Sequence, residues 1–213
     1  MCACATSAGS LHATAECEDS TIKLLTTQEN PSLDASTAVI VASGPITTSM
    51  TEDLLRLSER VKPFDTLILD LDSPGGRLDH AEELVAALQS IRDNAKLKTY
   101  VRHGSHCLSA CALVFQRGDE RIAGGASVWL FHAACPAFSR LPMKNETQRF
   151  IDLMIAGGAS KEFLSSLVDK GYLSLPGEFW TSGYELFHVY KANIITTLLD
   201  PWRPIRPELP QPD

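Results

Sequence analysis

The sequence predicts an α/β fold with parallel strand pairing. Three observations predict it. Short apolar runs of strand length alternate with segments whose apolar residues recur at three- and four-residue steps. The run at 66–71 (TLILDL) is apolar almost throughout, as strands buried on both faces of a parallel sheet are. Turns containing glycine or proline separate the strands from the helices, and that alternation implies right-handed crossovers. The chain has 213 residues, 44% of them hydrophobic and 21% charged, enough for one globular domain that needs no metal or disulfide to hold its core. Its 19 Lys and Arg against 26 Asp and Glu give a net charge of −7, which argues against nucleic acid as a partner. No apolar run approaches the roughly 18 residues of a membrane span.

The elements follow in order. A strand at 37–42 (TAVIVA) closes at Ser43-Gly44-Pro45. A helix over 51–61 is predicted from Leu54, Leu55, Leu57 and Val61, and Pro63 stops it. The strand at 66–71 runs into the turn Asp72-Ser73-Pro74-Gly75-Gly76. Leu78, Ala81, Leu84, Val85, Leu88 and Ile91 then mark the clearest helix in the chain. A strand follows at 98–102. The segment 104–115 becomes apolar on every side after its first polar residues and predicts a buried helix ended by Gly118. A strand at 127–131 has His132 at its exit. Helices are expected around 146–156 and 161–170, and strands at 178–181 and 189–197.

The first fifteen residues end in Ala13-Thr14-Ala15, a small-x-small pattern like that before signal-peptide cleavage, without a basic n-region or a clear apolar h-region. The domain is therefore expected over 21–200. Residues 1–20 are expected to be a tail or signal-peptide remnant, and 201–213, with five prolines, an extended tail. Membrane association is expected only through a segment missing from this N-terminus.

Chemistry could sit at three places. Ser109 lies near the start of the buried segment after a strand, where free backbone N–H groups could hold an oxyanion; helix capping or close packing would also call for a serine there. His132, 23 residues on, ends a strand, where α/β enzymes place side chains facing a crevice, and it titrates near neutrality. Gly75 and Gly76 let backbone approach a ligand, although a plain Pro-Gly turn would have the same sequence. Neither GxGxxG nor GxxxxGK[ST] occurs. His103 and His106 are expected as exposed loop histidines that could line a cleft. Asp70 and Asp72 share a strand face and are expected as strand-end polar residues. No CxxC or HxxxH occurs, so no metal site is expected.

In order, Gly44-Pro45-Ile46, Asp72-Ser73-Pro74-Gly75-Gly76, Cys107-Leu108-Ser109-Ala110-Cys111, Gly118-Asp119-Glu120-Arg121 and a strand ending in His132 resemble the ClpP/crotonase superfamily. The likeness is greatest to secreted or periplasmic ClpP-like proteins of bacteria and spans roughly residues 39–195. It implies a spiral of β-β-α units and a serine peptidase-like hydrolase without a cofactor. Ser109 matches the nucleophile, His132 the general base, and the N–H groups of Gly75 and Ala110 the oxyanion hole. Aligning Trp180, Ser182 and Glu185 with the family's Arg-Phe-x-Ser-x-x-Glu stretch puts Glu178 at the third triad position; a shift of one residue puts Gly177 there. Lys144 is the nearest lysine for a Ser–Lys dyad and ranks below His132.

Cys107 and Cys111 could form a bridge, or either could pair with Cys135; all three could equally be buried thiols. A bridge would suit an oxidising compartment, so a periplasmic or secreted location is expected, with the cytoplasm as the alternative. The resemblance further implies a peptide or protein substrate and a homo-oligomer, with the helices over 146–170 the first place to look for pairing. Three alternatives stand beside the hydrolase: an inactive ClpP-like binding or assembly module, acyl-CoA chemistry of the crotonase type, and a membrane-associated peptidase that has lost its anchor.

Overall fold

The computed structural model describes residues 20–25, 34, 36–60, 63–136 and 141–199. The expected tails, apart from Ser20, lie outside these residues, as do Cys2, Cys4, Cys17 and Val61. A six-stranded sheet runs in the order β1 (Thr21–Leu25), β2 (Thr37–Ser43), β3 (Thr66–Asp72), β4 (Lys96–Val101), β6 (Glu120–Gly124), β9 (Thr197–Leu199). β1 is antiparallel to β2, and all the other neighbours are parallel. A three-stranded sheet holds β5 (His106–Leu108), β7 (Val128–His132) and β8 (Glu178–Ser182), with β5 parallel to β7 and β8 antiparallel to it. Ser73, one residue past β3, bridges to Cys107 and links the two sheets. The helices are α1 (Thr48–Arg60), α2 (Leu78–Arg92), α3 (Cys111–Phe115), α4 (Lys144–Ala156) and α5 (Lys161–Asp169), with a π-helical turn at Glu185–Val189. The mixed α/β architecture with mainly parallel pairing is the one expected.

Alternation along the central strands sets the core. Leu67, Leu69 and Leu71 point to one face of β3 and are buried, in register with Ala38, Ile40 and Ala42 of β2. Met50 and Leu54 of α1, and Ala81, Leu84 and Leu88 of α2, join the same cluster. Burying each such leucine contributes about 2 kcal/mol. The α1 face differs slightly from expectation, because Leu55 is 37% exposed and Met50 takes an inward position. Under the small sheet Trp129 packs edge-on against Phe115 and donates its indole N–H to Ser127 Oγ, so its one polar atom is satisfied.

Three expectations are corrected. The segment 104–115 is not one helix: His106–Leu108 pairs with β7, and α3 begins only at Cys111. An all-apolar run satisfies a buried strand as well as a buried helix, and an available partner strand decides between them. The expected strand at 189–197 is mostly absent. Ser182 and Glu185 form a capping box, with each side chain accepting the other's backbone N–H, and this starts a helical turn through Val189. Lys191 and Asn193 then adopt positive φ (46° and 53°), so extended structure resumes only at Thr197. β1 and β6 were not expected at all.

The Gly118-x-x-Arg121 stretch turns out to join elements. A Cβ on Gly118 would lie 2.4 Å from Thr99 Oγ1, so only glycine fits there. Asp119 accepts the Leu97 N–H and pairs with Arg92 of α2. Arg121 Nε donates to the Ile194 carbonyl, tying β6 to the segment that leads into β9.

Asp70 departs from the strand-end role expected of it. It is 4% exposed, its Oδ1 has no partner among the described residues, and Oδ2 lies 3.0 Å from Arg102 Nε. Burial outweighs the arginine and pushes its pKa up to about 6. The folded state therefore binds this proton more tightly than the unfolded chain does. The stability this provides is complete below about pH 4 and is lost as pH rises through about 6, a difference of about 3 kcal/mol. Asp70→Asn, which mimics the protonated form, should raise stability by about 2 kcal/mol at pH 8 and leave it nearly unchanged at pH 4. Urea denaturation at the two pH values checks this; a loss of stability at pH 8 would show that the Arg102 pair dominates.

Candidate active site

β5 ends and α3 begins within two residues, and Ser109 sits in the gap. Its φ is +54°, the left-handed region that non-glycine residues rarely enter, and strain of this kind costs of order 1 kcal/mol. Three contacts hold it. The Ser109 N–H donates to the Leu130 carbonyl of β7 at 2.8 Å, and the Ser109 carbonyl accepts the Ala112 N–H at 3.1 Å. A disulfide joins Cys107 in β5 to Cys111 at the start of α3, with Cα atoms 5.2 Å apart, so it spans the turn. Cys135 is disulfide-bonded as well, and since Cys107 and Cys111 bond to each other, neither of the alternative pairings to Cys135 is made.

His132 is the last residue of β7, two beyond Leu130, so Ser109 and His132 approach the same strand end. Its Nδ1 lies 2.7 Å from the Ala133 carbonyl. A carbonyl can only accept, so Nδ1 carries the proton and the lone pair of the neutral ring resides on Nε2. Burial lowers the pKa of His132 below its ordinary value, outweighing the Ala133 hydrogen bond and the Glu178 charge, so the ring is neutral at pH 7.

Glu178 stands directly opposite His132 in the antiparallel register, which puts the two side chains on one face of the sheet. The carboxylate makes no hydrogen bond to the imidazole; it accepts the Trp180 indole N–H at 3.0 Å, while its charge acts to raise the His132 pKa. The hydrogen bond expected from a third triad member is thus made by the Ala133 carbonyl. Gly177 has no side chain to offer. Lys144 opens α4, is exposed, and does not line the cavity beside His132.

The turn after β3 brings Gly75 against the turn at Ser109. At φ +89°, a Cβ on Gly75 would lie 2.5 Å from the Leu108 carbonyl and 3.1 Å from Ala110 N, so its backbone and that of Ala110 are in close contact. The Gly75 N–H donates to Ser73 Oγ at 3.1 Å, closing a serine turn. This expected oxyanion donor is therefore already engaged. Among the described residues Ser109 Oγ makes no hydrogen bond, so the serine–histidine contact is open in this conformation.

Beside His132 lies a cavity of about 280 Å³, lined by His132, Ala133, Cys135 and the run from Leu175 through Pro176 and Gly177 to Glu178. Sequence reasoning missed Leu175 and Pro176, which belong to a loop without periodicity. Ser109 does not line it. Neither His103 nor His106 lines this cavity. His103 Nδ1 accepts the Ala126 N–H, while His106, on β5 rather than in a loop, places Nδ1 2.6 Å from Asp72 Oδ1.

The disulfide closes a four-residue separation, and in the chain-entropy account a loop this short contributes about 2 kcal/mol. A Cys107→Ala, Cys111→Ala double variant should be less stable by that amount, read as a lower urea midpoint. No shift in the midpoint would mean that β5–β7 pairing alone sets the turn.

No family model matches the chain, and no curated protein matches it. Among solved structures it is similar to a ClpP1 mutant from Listeria monocytogenes, at 19% identity and a TM-score of 0.58, over 82% of this chain and 96% of that one. With its mainly parallel sheets and crossover helices, the chain has a ClpP/crotonase-like fold.

Proposed function

We propose that the chain is a serine hydrolase acting on peptide bonds, with Ser109 as nucleophile and His132 as general base. The observation that carries this reading is the strained turn at Ser109. A serine is held at φ +54° by a disulfide and by a hydrogen bond to the strand that ends in His132. Helix capping or tight packing gives no reason for such a conformation. In this mechanism Ser109 Oγ attacks the carbonyl carbon and Nε2 of His132 takes its proton. The Ala133 carbonyl holds the Nδ1 proton throughout, and Ala110 N–H, together with Gly75 N–H once freed from Ser73, stabilises the tetrahedral oxyanion. The imidazolium returns its proton to the leaving amine, and water then hydrolyses the acyl-enzyme. The Cys107–Cys111 disulfide supports an oxidising compartment, the periplasm or the cell exterior.

A second reading, a binding module without turnover, is favoured by the occupied Gly75 donor and the unjoined Ser109. A fluorophosphonate probe decides between them. The hydrolase should be labelled, and Ser109→Ala and His132→Ala should each abolish labelling. Absence of labelling in the wild type would support the binding module. The pH dependence gives a second check. Because His132 must be neutral to act as base and burial lowers its pKa, the labelling rate should rise to half its maximum below pH 6.5. A half-maximum above pH 7 would assign the base to another group.

A further inference from the structure

We propose that the cavity beside His132 is a side-chain subsite for lysine or arginine, with Glu178 as its specificity-determining residue; this rests on the peptide-binding site proposed above. Glu178 matches a triad position, yet its carboxylate makes no hydrogen bond to the imidazole. It is exposed, lies on the wall of the cavity, and is held there by the indole N–H of Trp180. Among the described residues no lysine or arginine lines the cavity. The other wall is apolar: Leu175, 62% exposed, and Pro176 offer surface that no other described side chain covers. Trp180, 53% exposed, presents its indole N–H edge to the carboxylate and fixes it at the wall.

A cavity with an apolar wall, a carboxylate and an adjoining indole fits a side chain with a hydrocarbon stem and a cationic tip. The stem lies along Leu175 and Pro176, and the cation meets the Glu178 carboxylate. The volume of about 280 Å³ suits one such side chain rather than a large ligand. His132, being neutral, does not repel the incoming charge. An aliphatic pocket would have no use for a carboxylate held at its wall. A triad carboxylate would be expected to reach Nδ1, which instead has the Ala133 carbonyl as its partner.

The test separates binding from turnover. Ser109→Ala protein is titrated with acetyl-Ala-Ala-Lys-Ala-amide and with the norleucine analogue, and the His132 and Trp180 signals are followed by NMR. The lysine peptide should bind about tenfold tighter, equivalent to about 1.4 kcal/mol. Glu178→Gln should bring the ratio near one, and Glu178→Lys should reverse it. Equal affinities, a preference for norleucine, no binding of either peptide, or a lysine preference surviving in Glu178→Gln would each overturn the proposal. Wild-type cleavage of the same peptides is then measured. Lysine-selective binding without cleavage would remove the hydrolase and keep the subsite. Cleavage without lysine preference would do the reverse. A Glu178→Gln variant that lowers kcat equally for both peptides, with KM unchanged, would return Glu178 to orienting His132 and overturn the subsite.

Discussion

The turn at Ser109 is the constraint on which the site depends. β5 must pair with β7 through Leu108, and the chain must then reverse into α3 by Cys111, which leaves two residues to change direction. A left-handed residue accomplishes that, and glycine would do so without strain. A serine there costs about 1 kcal/mol or more and must be held by its surroundings. The disulfide, the Leu130 carbonyl and the packed backbone of Gly75 supply that restraint from three directions. Because the Ser109 N–H bonds to the strand that carries His132, the same restraint also fixes the Ser109 turn relative to His132.

The imidazole is oriented in an economical way. Its Nδ1 proton goes to the next residue's carbonyl, a group that comes with the strand end and needs no partner from a distant loop. A carbonyl fixes the tautomer as a carboxylate would, but it brings no negative charge to steady an imidazolium. Burial already disfavours the charged ring, so this His132 is a weaker base that is available at lower pH. Freed of the Nδ1 contact, Glu178 is open to a different use, and Trp180 settles its position.

Much of this was legible in the sequence. The three central strands and α2 follow from clear periodicities, and His132 at a strand exit follows from the run Val128–His132. The elements that escaped are those whose local signal is ambiguous. The segment from Cys107 to Phe115 is apolar apart from Ser109, so no period distinguishes strand from helix until β7 supplies a partner. β6 mixes Glu120 and Arg121 with Ile122 and earns its place through pairing with Lys98 and the Ile194 carbonyl. The π-helical turn was concealed by β-favouring residues after Val189, although Ser182 and Glu185 spell a capping box in plain sequence. Residue patterns placed His132 at a strand end, where the structure has it, whereas side-chain directions were beyond reach. Nothing in the spacing says that Glu178 turns to Trp180 or that Ser73 takes the Gly75 N–H.

That last contact bears on how such a site would discriminate. A neutral substrate carbonyl competing for the Gly75 N–H gains little over the Ser73 hydroxyl, since both are neutral acceptors. An oxyanion gains more, because charge-assisted hydrogen bonds are about twice as strong as neutral ones. A donor occupied by a neutral hydroxyl in the resting protein is therefore withheld from the bound substrate and released to the transition state. Interactions that strengthen only in the transition state raise kcat, whereas those shared with the ground state lower KM alone. On the hydrolase reading, Ser73 would do more than shape a turn: its hydroxyl would bias the oxyanion hole toward developing charge while the backbone around Gly75 stays where the close contact with Ala110 requires it.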